Sequence, residues 1–550
     1  MRWIIALFLA SSLASAAEQV PLGGGAYSPL DGDFEHLVKQ KLSEWHVPGV
    51  SVAVVHNNKT YAKGYGIAQY PSQPVTPSTL FYTGSTTKAF TAAAISLLVD
   101  SEEEAYKNIK WTTPLYTLIG DDFILPDYYA TTHTTLEDAL SHRSGMPRHD
   151  MSYGGPNFTR RDMVRSLRNL PLTAEPRTKY QYCNMMFVAV AYALEAVTGQ
   201  WLGDFLRERI WEPLGMQTTF FALPDAKKAV KDGKAEIAKG YKWEAEKEEF
   251  REVEWMDNYE LSGAGGVIST VLDYAQWMKM LMNQAPPLSK QGHEALTYPR
   301  IIAEKQGPPF DATLLYALGW AIETYGGERL WFHDGGMPGF GTELLLLPDM
   351  NWGIVLMLNT AESSNFAGMG LMFHLIDEFL EVPQEKRFDW DEKFRNRITS
   401  RRSLASSAHH ILYPHTPTPP LPHSLPLSAY TGTYHHPSYQ SLTLTLANLT
   451  LPSCNTSSTY LFANMTDHMW DFTLRLEHVS GEFFVAMVWA QDLDAFDVET
   501  PAKAEFRVGE GGRSGGWGWH WRRRWGRRRF GGRGFEFGGW GSLGGIMKFD

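Results

Sequence analysis

Residues 82–90 read YTGSTTKAF: Ser85 stands three residues ahead of Lys88, at the front of an alanine-rich apolar run. If Ser85 opens the helix this run predicts, Ser85 and Lys88 at i and i+3 share one face within hydrogen-bonding reach. A serine hydroxyl is a weak nucleophile until a neighbouring base takes its proton. Lysine serves as that base only where burial or nearby positive charge lowers its pKa, and the apolar residues after Lys88 offer the burial. A helix N-terminus also favours a developing oxyanion. Taken alone, Ser-x-x-Lys has a commoner explanation, a serine N-cap followed by a solvated lysine. It occurs once in this chain.

Two further stretches carry possible chemistry. Tyr182-Cys183-Asn184, in TKYQYCNMMF (178–187), precedes an apolar helix. A tyrosine flanked by cations such as Lys88 can act as a base, and an asparagine two residues on can bind a substrate amide. Helix-capping is the plainer role for the asparagine, and a small buried residue is the plainer role for Cys183. The other stretch is His333-Asp334-Gly335-Gly336, ahead of the run TELLLL (342–347). Its glycines let backbone approach a ligand closely, with a glycine N–H available to an oxyanion; a glycine-rich hairpin turn is the alternative. His333 and Asp334, adjacent on a strand, point to opposite faces, which argues against a simple Ser-His-Asp triad. Gly512-Arg513-Ser514-Gly515-Gly516 matches a Gly-x-Ser-x-Gly elbow but lacks the strand-to-helix setting. His142 and His149 come without a metal-ligand pattern and read as surface or structural histidines.

The wider chain predicts an α+β fold. FEHLVKQKLSEWHVPG (34–49) has helical spacing of Phe34, Leu37, Leu42 and Trp45. VSVAVVHNNKTYAKGYG (50–66) reads as a hairpin, and LLLLPDMNWGIVLMLN (344–359) as two strands broken at Pro348-Asp349. Helical stretches lie between, so strands from both ends of the segment are expected to share one antiparallel sheet flanked by helices. Residues 386–427 read as a charged and then proline-rich linker. From 428 to 550 short alternating runs predict a small all-β module, ending in a Gly/Arg/Trp-rich tail at 508–545.

Composition bounds the function. The 550 residues are 43% hydrophobic and 20% charged, enough for a large core and more than one domain. A formal net charge of −11 argues against nucleic-acid binding by the chain as a whole, and the low-complexity basic tail reads as poorly ordered or aberrant rather than functional. Residues 1–16 have the pattern of a secretory signal, closing on Ala14-Ser15-Ala16, and the apolar run is too short for a bilayer span. Secretion is the expectation, with no membrane span after signal removal. Two cysteines, Cys183 and Cys454, cannot make a disulfide framework. Asn-x-Ser/Thr acceptors at Asn58, Asn157, Asn448, Asn455 and Asn464 would suit a secreted glycoprotein.

In order and spacing, Ser-x-x-Lys, Tyr-x-Asn about a hundred residues later and His-x-Gly ahead of a strand resemble the serine β-lactamase and penicillin-binding-protein superfamily, in its class C-like branch. LEDALSHRSGMPRHD (136–150) and LSGAGGVISTVLDYAQWM (261–278) are family-like as well, and the resemblance covers about residues 30–385. YTGTYHHPSY (430–439) looks like the start of the lipocalin-like β-barrel often appended to that branch. The resemblance implies an all-helical subdomain beside the sheet and an acyl-enzyme on Ser85, with Lys88 and Tyr182 sharing the proton transfers. It also implies that Asn184 holds the substrate amide or orients Lys88, and that the N–H groups of Ser85 and Gly336 form the oxyanion hole. His333 and Gly335 then stand where β-lactamases carry Lys-Thr-Gly. A histidine there gives a weaker, pH-dependent contact to a carboxylate. That puts efficient β-lactamase activity in doubt and favours an esterase or D-amino-acid peptidase type of hydrolase, acting on a small or peptide-like ester or amide. No metal or organic cofactor is implied. Acyl transfer through the same intermediate, or binding without catalysis, are the competing functions.

Overall fold

The computed structural model describes residues 28–155, 157–257, 259–304, 307–450, 457–466, 468–508, 514–520 and 546–549. The segment expected to be a signal sequence, Cys454, Asn455 and most of the basic tail lie outside the described residues.

The strand Gly49–His56 pairs on one side with Lys59–Gln69 across the Asn57-Asn58 turn and on the other with Trp352–Leu358, antiparallel in both cases. Chain segments about 300 residues apart thus close one sheet. From edge to edge it runs Gln73–Pro74, Lys59–Gln69, Gly49–His56, Trp352–Leu358, Phe340–Leu347, Glu328–Met337, Ala321–Tyr325, Leu314–Tyr316 and Ile301–Glu304. Its central strands are buried at nearly every position and mostly apolar, because both faces are covered. Val50, Val52, Val54, Leu345, Ile354, Leu356 and Leu358 pack under the first helix, Asp33–Glu44, and the helix Glu362–Phe379. The alternate residues Ala53, Val55, Leu344, Leu346, Val355 and Met357 face the other core, which the helical region between residues 87 and 297 shares. Period two along each strand therefore feeds two cores, and the fold is α+β as the sequence predicts.

The expected linker is different. Trp390–Ser406 is a helix capped by Asp389, whose carboxylate accepts from Glu392 N at 2.8 Å. Trp390, Phe394 and Ile398, four residues apart, are its buried stripe; Phe394 stacks on Phe366 with centroids 4.2 Å apart and Phe373 on Trp390 at 4.5 Å. Three buried apolar residues in a mostly polar helix are enough to dock it, and several of its charges are committed: Asp391 pairs with Lys41, and Arg401 joins Glu362 to Asp494 of the C-terminal module. Only the proline-rich part that follows is extended, and it lies along the module through Gly481 N to Leu421 O at 2.8 Å.

The module is an antiparallel meander of eight strands in sequence order, from Gly432–His436 to Ile546–Phe549. Its seventh strand, Ser514–His520, belongs to the run read as an unstructured tail. Glycine and tryptophan alternate there with period two, a strand pattern that the compositional bias conceals.

Candidate active site

Ser85 sits in a short 3₁₀ turn, Gly84–Thr86, that leads into the helix Thr87–Val99. It precedes the helix rather than capping it, and Lys88 follows one turn on. Gly84 takes φ +52°, and a Cβ there would stand 2.6 Å from Gly336 N. A Cβ on Gly335 would stand 2.1 Å from Thr83 O and 3.2 Å from Ser85 N. The strand Glu328–Met337 thus runs against the Ser85 turn backbone to backbone, which glycine alone permits.

Lys88 is 0% exposed. Its Nζ lies 3.0 Å from Ser85 Oγ and donates to the Ala264 carbonyl at 2.8 Å. The rings of Tyr182 and Phe187 cover it at 4.8 and 5.3 Å. Burial, reinforced by the Arg148 guanidinium, pushes its pKa well below the usual lysine range, against the opposing pull of Asp150 and Asp334. On the other side of the serine, Tyr182 donates to Ser85 Oγ at 2.8 Å. Burial raises the phenol far above its ordinary value although Arg148, 4.5 Å from the ring centroid, pulls it down. Ser85 therefore has on one side an amine whose neutral form burial favours and on the other a phenol whose protonated form burial favours.

Asn184 begins the helix Asn184–Thr198, and its Nδ2 donates to Asp150 Oδ1 at 3.2 Å. Asp150 also pairs with Arg148 Nε at 3.1 Å and accepts from the Tyr153 hydroxyl. The structure thus joins Asn184 to an Arg148–Asp150 pair that sequence reasoning missed. The only signal for that pair was the family-like segment 136–150 itself.

His333 departs from its expected role. It is 3% exposed; its Nδ1 bonds to Asp334 O at 2.6 Å and its Nε2 to the Tyr316 hydroxyl at 2.9 Å. Burial, with Lys88 nearby, pushes its pKa down to about 3, so it is neutral at every ordinary pH. The pH-dependent carboxylate contact expected near neutrality is replaced by a fixed bond to Tyr316. Gly335 O accepts from Asn365 Nδ2 at 3.0 Å, fixing the strand from its other face.

His142 and His149 are both buried, structural and not superficial. His142 Nδ1 accepts from Cys183 N at 3.0 Å and its ring lies 4.1 Å from that of Tyr182. The Cys183 thiol is pushed up to about 12 by burial, an inert group. Among the described residues no cluster of three metal-ligating side chains occurs.

A serine between a buried lysine and a tyrosine, against a glycine strand of an antiparallel sheet, is the arrangement of β-lactamase-fold serine hydrolases. Comparison with known families agrees. A model described as Beta-lactamase matches residues 34–373, and one described as a domain of unknown function (DUF3471) matches residues 416–532. The chain belongs to the beta-lactamase family. It is 42% identical over 489 residues to unguisins hydrolase ungD' of Aspergillus campestris, covering 88% of each chain. It is 39% identical over 519 residues to unguisins hydrolase ungD of Aspergillus violaceofuscus, covering 90% of this chain and 88% of the relative. The octameric penicillin-binding protein homologue from Pyrococcus abyssi shares the fold at 19% identity, with a TM-score of 0.57 over 89% of this chain and 97% of that one.

Proposed function

We propose that the protein opens an ester or amide bond through an acyl-enzyme on Ser85, and that unguisins, named for its two fungal relatives, are the first substrates to test. The observation that carries the reading is the position of Ser85 Oγ, 3.0 Å from Lys88 Nζ and 2.8 Å from Tyr182 Oη. Neutral Lys88 takes the hydroxyl proton as Oγ attacks the carbonyl carbon. The N–H groups of Ser85 and Gly336 receive the oxyanion. As the C–N or C–O bond breaks, the proton passes from Lys88 through the Tyr182 hydroxyl to the departing amine or alcohol. Water then enters, gives its proton back along the same path and releases the acid and Ser85. No charged group stands at His333, so the reading favours acyl groups without a carboxylate at that point.

Treatment of the purified protein with a fluorophosphonate should place one adduct on Ser85 by mass spectrometry, absent in Ser85→Ala. Unlabelled wild-type protein would sink the acyl-enzyme. A panel of an unguisin, p-nitrophenyl esters and D-amino-acid anilides then separates amide from ester specificity. Secretion through residues 1–16 belongs to the same proposal, and N-terminal sequencing of protein recovered from culture medium tests it. A mature chain beginning after Ala16 is the expected result.

A further inference from the structure

The C-terminal module reaches the catalytic domain just behind the Arg148–Asp150 pair. At the turn between its first two strands, His436 Nδ1 accepts from Ser438 N and Tyr439 N, both at 3.1 Å, which sets the turn's shape. The turn then inserts. Ser438 Oγ donates to Ser166 O at 2.7 Å, and the Tyr439 hydroxyl meets His149 Nδ1 at 2.5 Å with both residues buried. A second loop of the module closes on the same segment, with Met469 N donating to Gly154 O at 2.6 Å and the Trp470 ring edge-on to Tyr153 at 4.9 Å. Gly154, at φ +76°, leaves room for Gln440, whose Nε2 a Cβ would approach to 2.6 Å.

Residues 148–154 are therefore gripped from the module side at His149, Tyr153 and Gly154. On the site side, Arg148 covers Tyr182 and Asp150 holds Asn184. Side chains alternate between the two: His149 turns to the module, Arg148 to Tyr182 and Asp150 to Asn184. We propose that Tyr439 is a positioning residue of the active site, in that its bond to His149 sets where the Arg148–Asp150 pair stands against Tyr182 and Asn184. The module is then a working part of the hydrolase. The inference rests on the acyl-enzyme reading, because its effect is felt at Ser85.

The test is the rate of fluorophosphonate labelling of Ser85 in the full chain. Tyr439→Phe keeps the ring and removes the bond; it should slow labelling about fivefold with the melting temperature held. On an Arg148→Gln background the same change should slow labelling less than twofold further, since the route runs through Arg148. Lys88 is faced by Arg148, Asp150, Cys183, Asp334, His142, His333 and Tyr182. Of these only the first two are held by the gripped segment, so the acid limb of the labelling rate should move to higher pH in Tyr439→Phe as in Arg148→Gln. Arg251→Gln breaks a different contact with the module, Arg251 Nη2 to Asp492 Oδ1 at 2.6 Å, and should label as wild type does. An unchanged rate in Tyr439→Phe, effects that simply add, or an equal loss in Arg251→Gln would overturn the inference while the acyl-enzyme stands. No label on wild type removes the acyl-enzyme reading and this inference together.

Discussion

Lys88 and Asp138 lie on the same helical side of the sheet, each 0% exposed, and their surroundings treat the charge in opposite ways. Asp138 ends the first turn of the helix Leu136–Leu140, where a capping box gives its carboxylate the Thr135 N–H and hydroxyl. Arg143 Nε at 2.6 Å and Arg177 Nη2 at 2.8 Å complete the shell. Burial raises the carboxyl, but these bonds outweigh it and the pKa ends below its usual value, so Asp138 remains an anion. Lys88 has a hydroxyl and a carbonyl as partners, and among the described residues no carboxylate within ion-pair distance. Desolvation then dominates, and the amine's pKa is pushed well below the usual lysine range. A buried charge wrapped in counter-charges holds the fold together; one left without them becomes a base.

Removing each group should break the comparison in opposite directions. Lys88→Met fills the same apolar slot without an amine. Labelling of Ser85 should fall about a thousandfold, in the range a general base supplies, while the melting temperature stays level or rises. A large loss of stability would mean that Lys88 is a structural charge after all. Asp138→Ala should leave labelling chemistry in place once the protein is folded but cost about 3 kcal/mol in urea unfolding, because it takes the buried acceptor from Thr135 and from Arg143 Nε, leaving Arg143 to Glu137, and frees Arg177. A cost under about 1 kcal/mol would put Asp138 among ordinary surface ion pairs.

The contrast also shows which parts of the molecule its sequence discloses. Ser85, Lys88, Tyr182 and Asn184 are legible because the order and spacing of their motifs along the chain resemble a known family, although helix spacing alone joins only Ser85 to Lys88. The central strands are legible because both of their faces are buried and the apolar runs are unbroken. Arg148, Asp150 and His149 are not. Their meaning depends on Tyr182, Asn184 and Tyr439, the last of them 290 residues away, and a loop with no periodicity carries no sign of such contacts. His333 was legible as a strand residue, yet its neutrality comes from complete burial beside Tyr316, which only tertiary structure supplies. The helix Trp390–Ser406 was lost for a compositional reason, since its three docking residues are outnumbered by charges, several of which proved to be paired.

His333 sharpens the comparison as a base kept neutral for packing. Its folded pKa of about 3 lies below the ordinary histidine value of 6.5. The unfolded chain therefore binds the extra proton first as pH falls. The stabilisation is complete above about pH 6.5 and is lost progressively down to about pH 3. At pH 5 the loss from this one residue is about 2 kcal/mol, and His142 and His149, also lowered by burial, add losses of the same sign. In His333→Gln the difference between urea stabilities at pH 7 and pH 5 should shrink by about 2 kcal/mol. An unchanged difference would show that the ring is protonated in the folded protein.

Arg148 gives the smallest and most discriminating effect, because it belongs to both regimes. Asp150 pairs with it as the arginines pair with Asp138, so it stays charged; its charge then acts on Lys88 and Tyr182, lowering both. Arg148→Gln removes a cation from beside the amine, so Lys88 holds its proton to a higher pH and less of it is neutral on the acid side. The acid limb of the labelling rate should move upward by about one unit, the order of effect of a single like charge at this range. The rate on that limb then falls up to about tenfold, and raising the pH restores it to within a few-fold of wild type. A loss equal at every pH would make Arg148 a prop for the Tyr182 ring, and an unmoved limb with full activity would leave burial alone as the cause of the Lys88 shift.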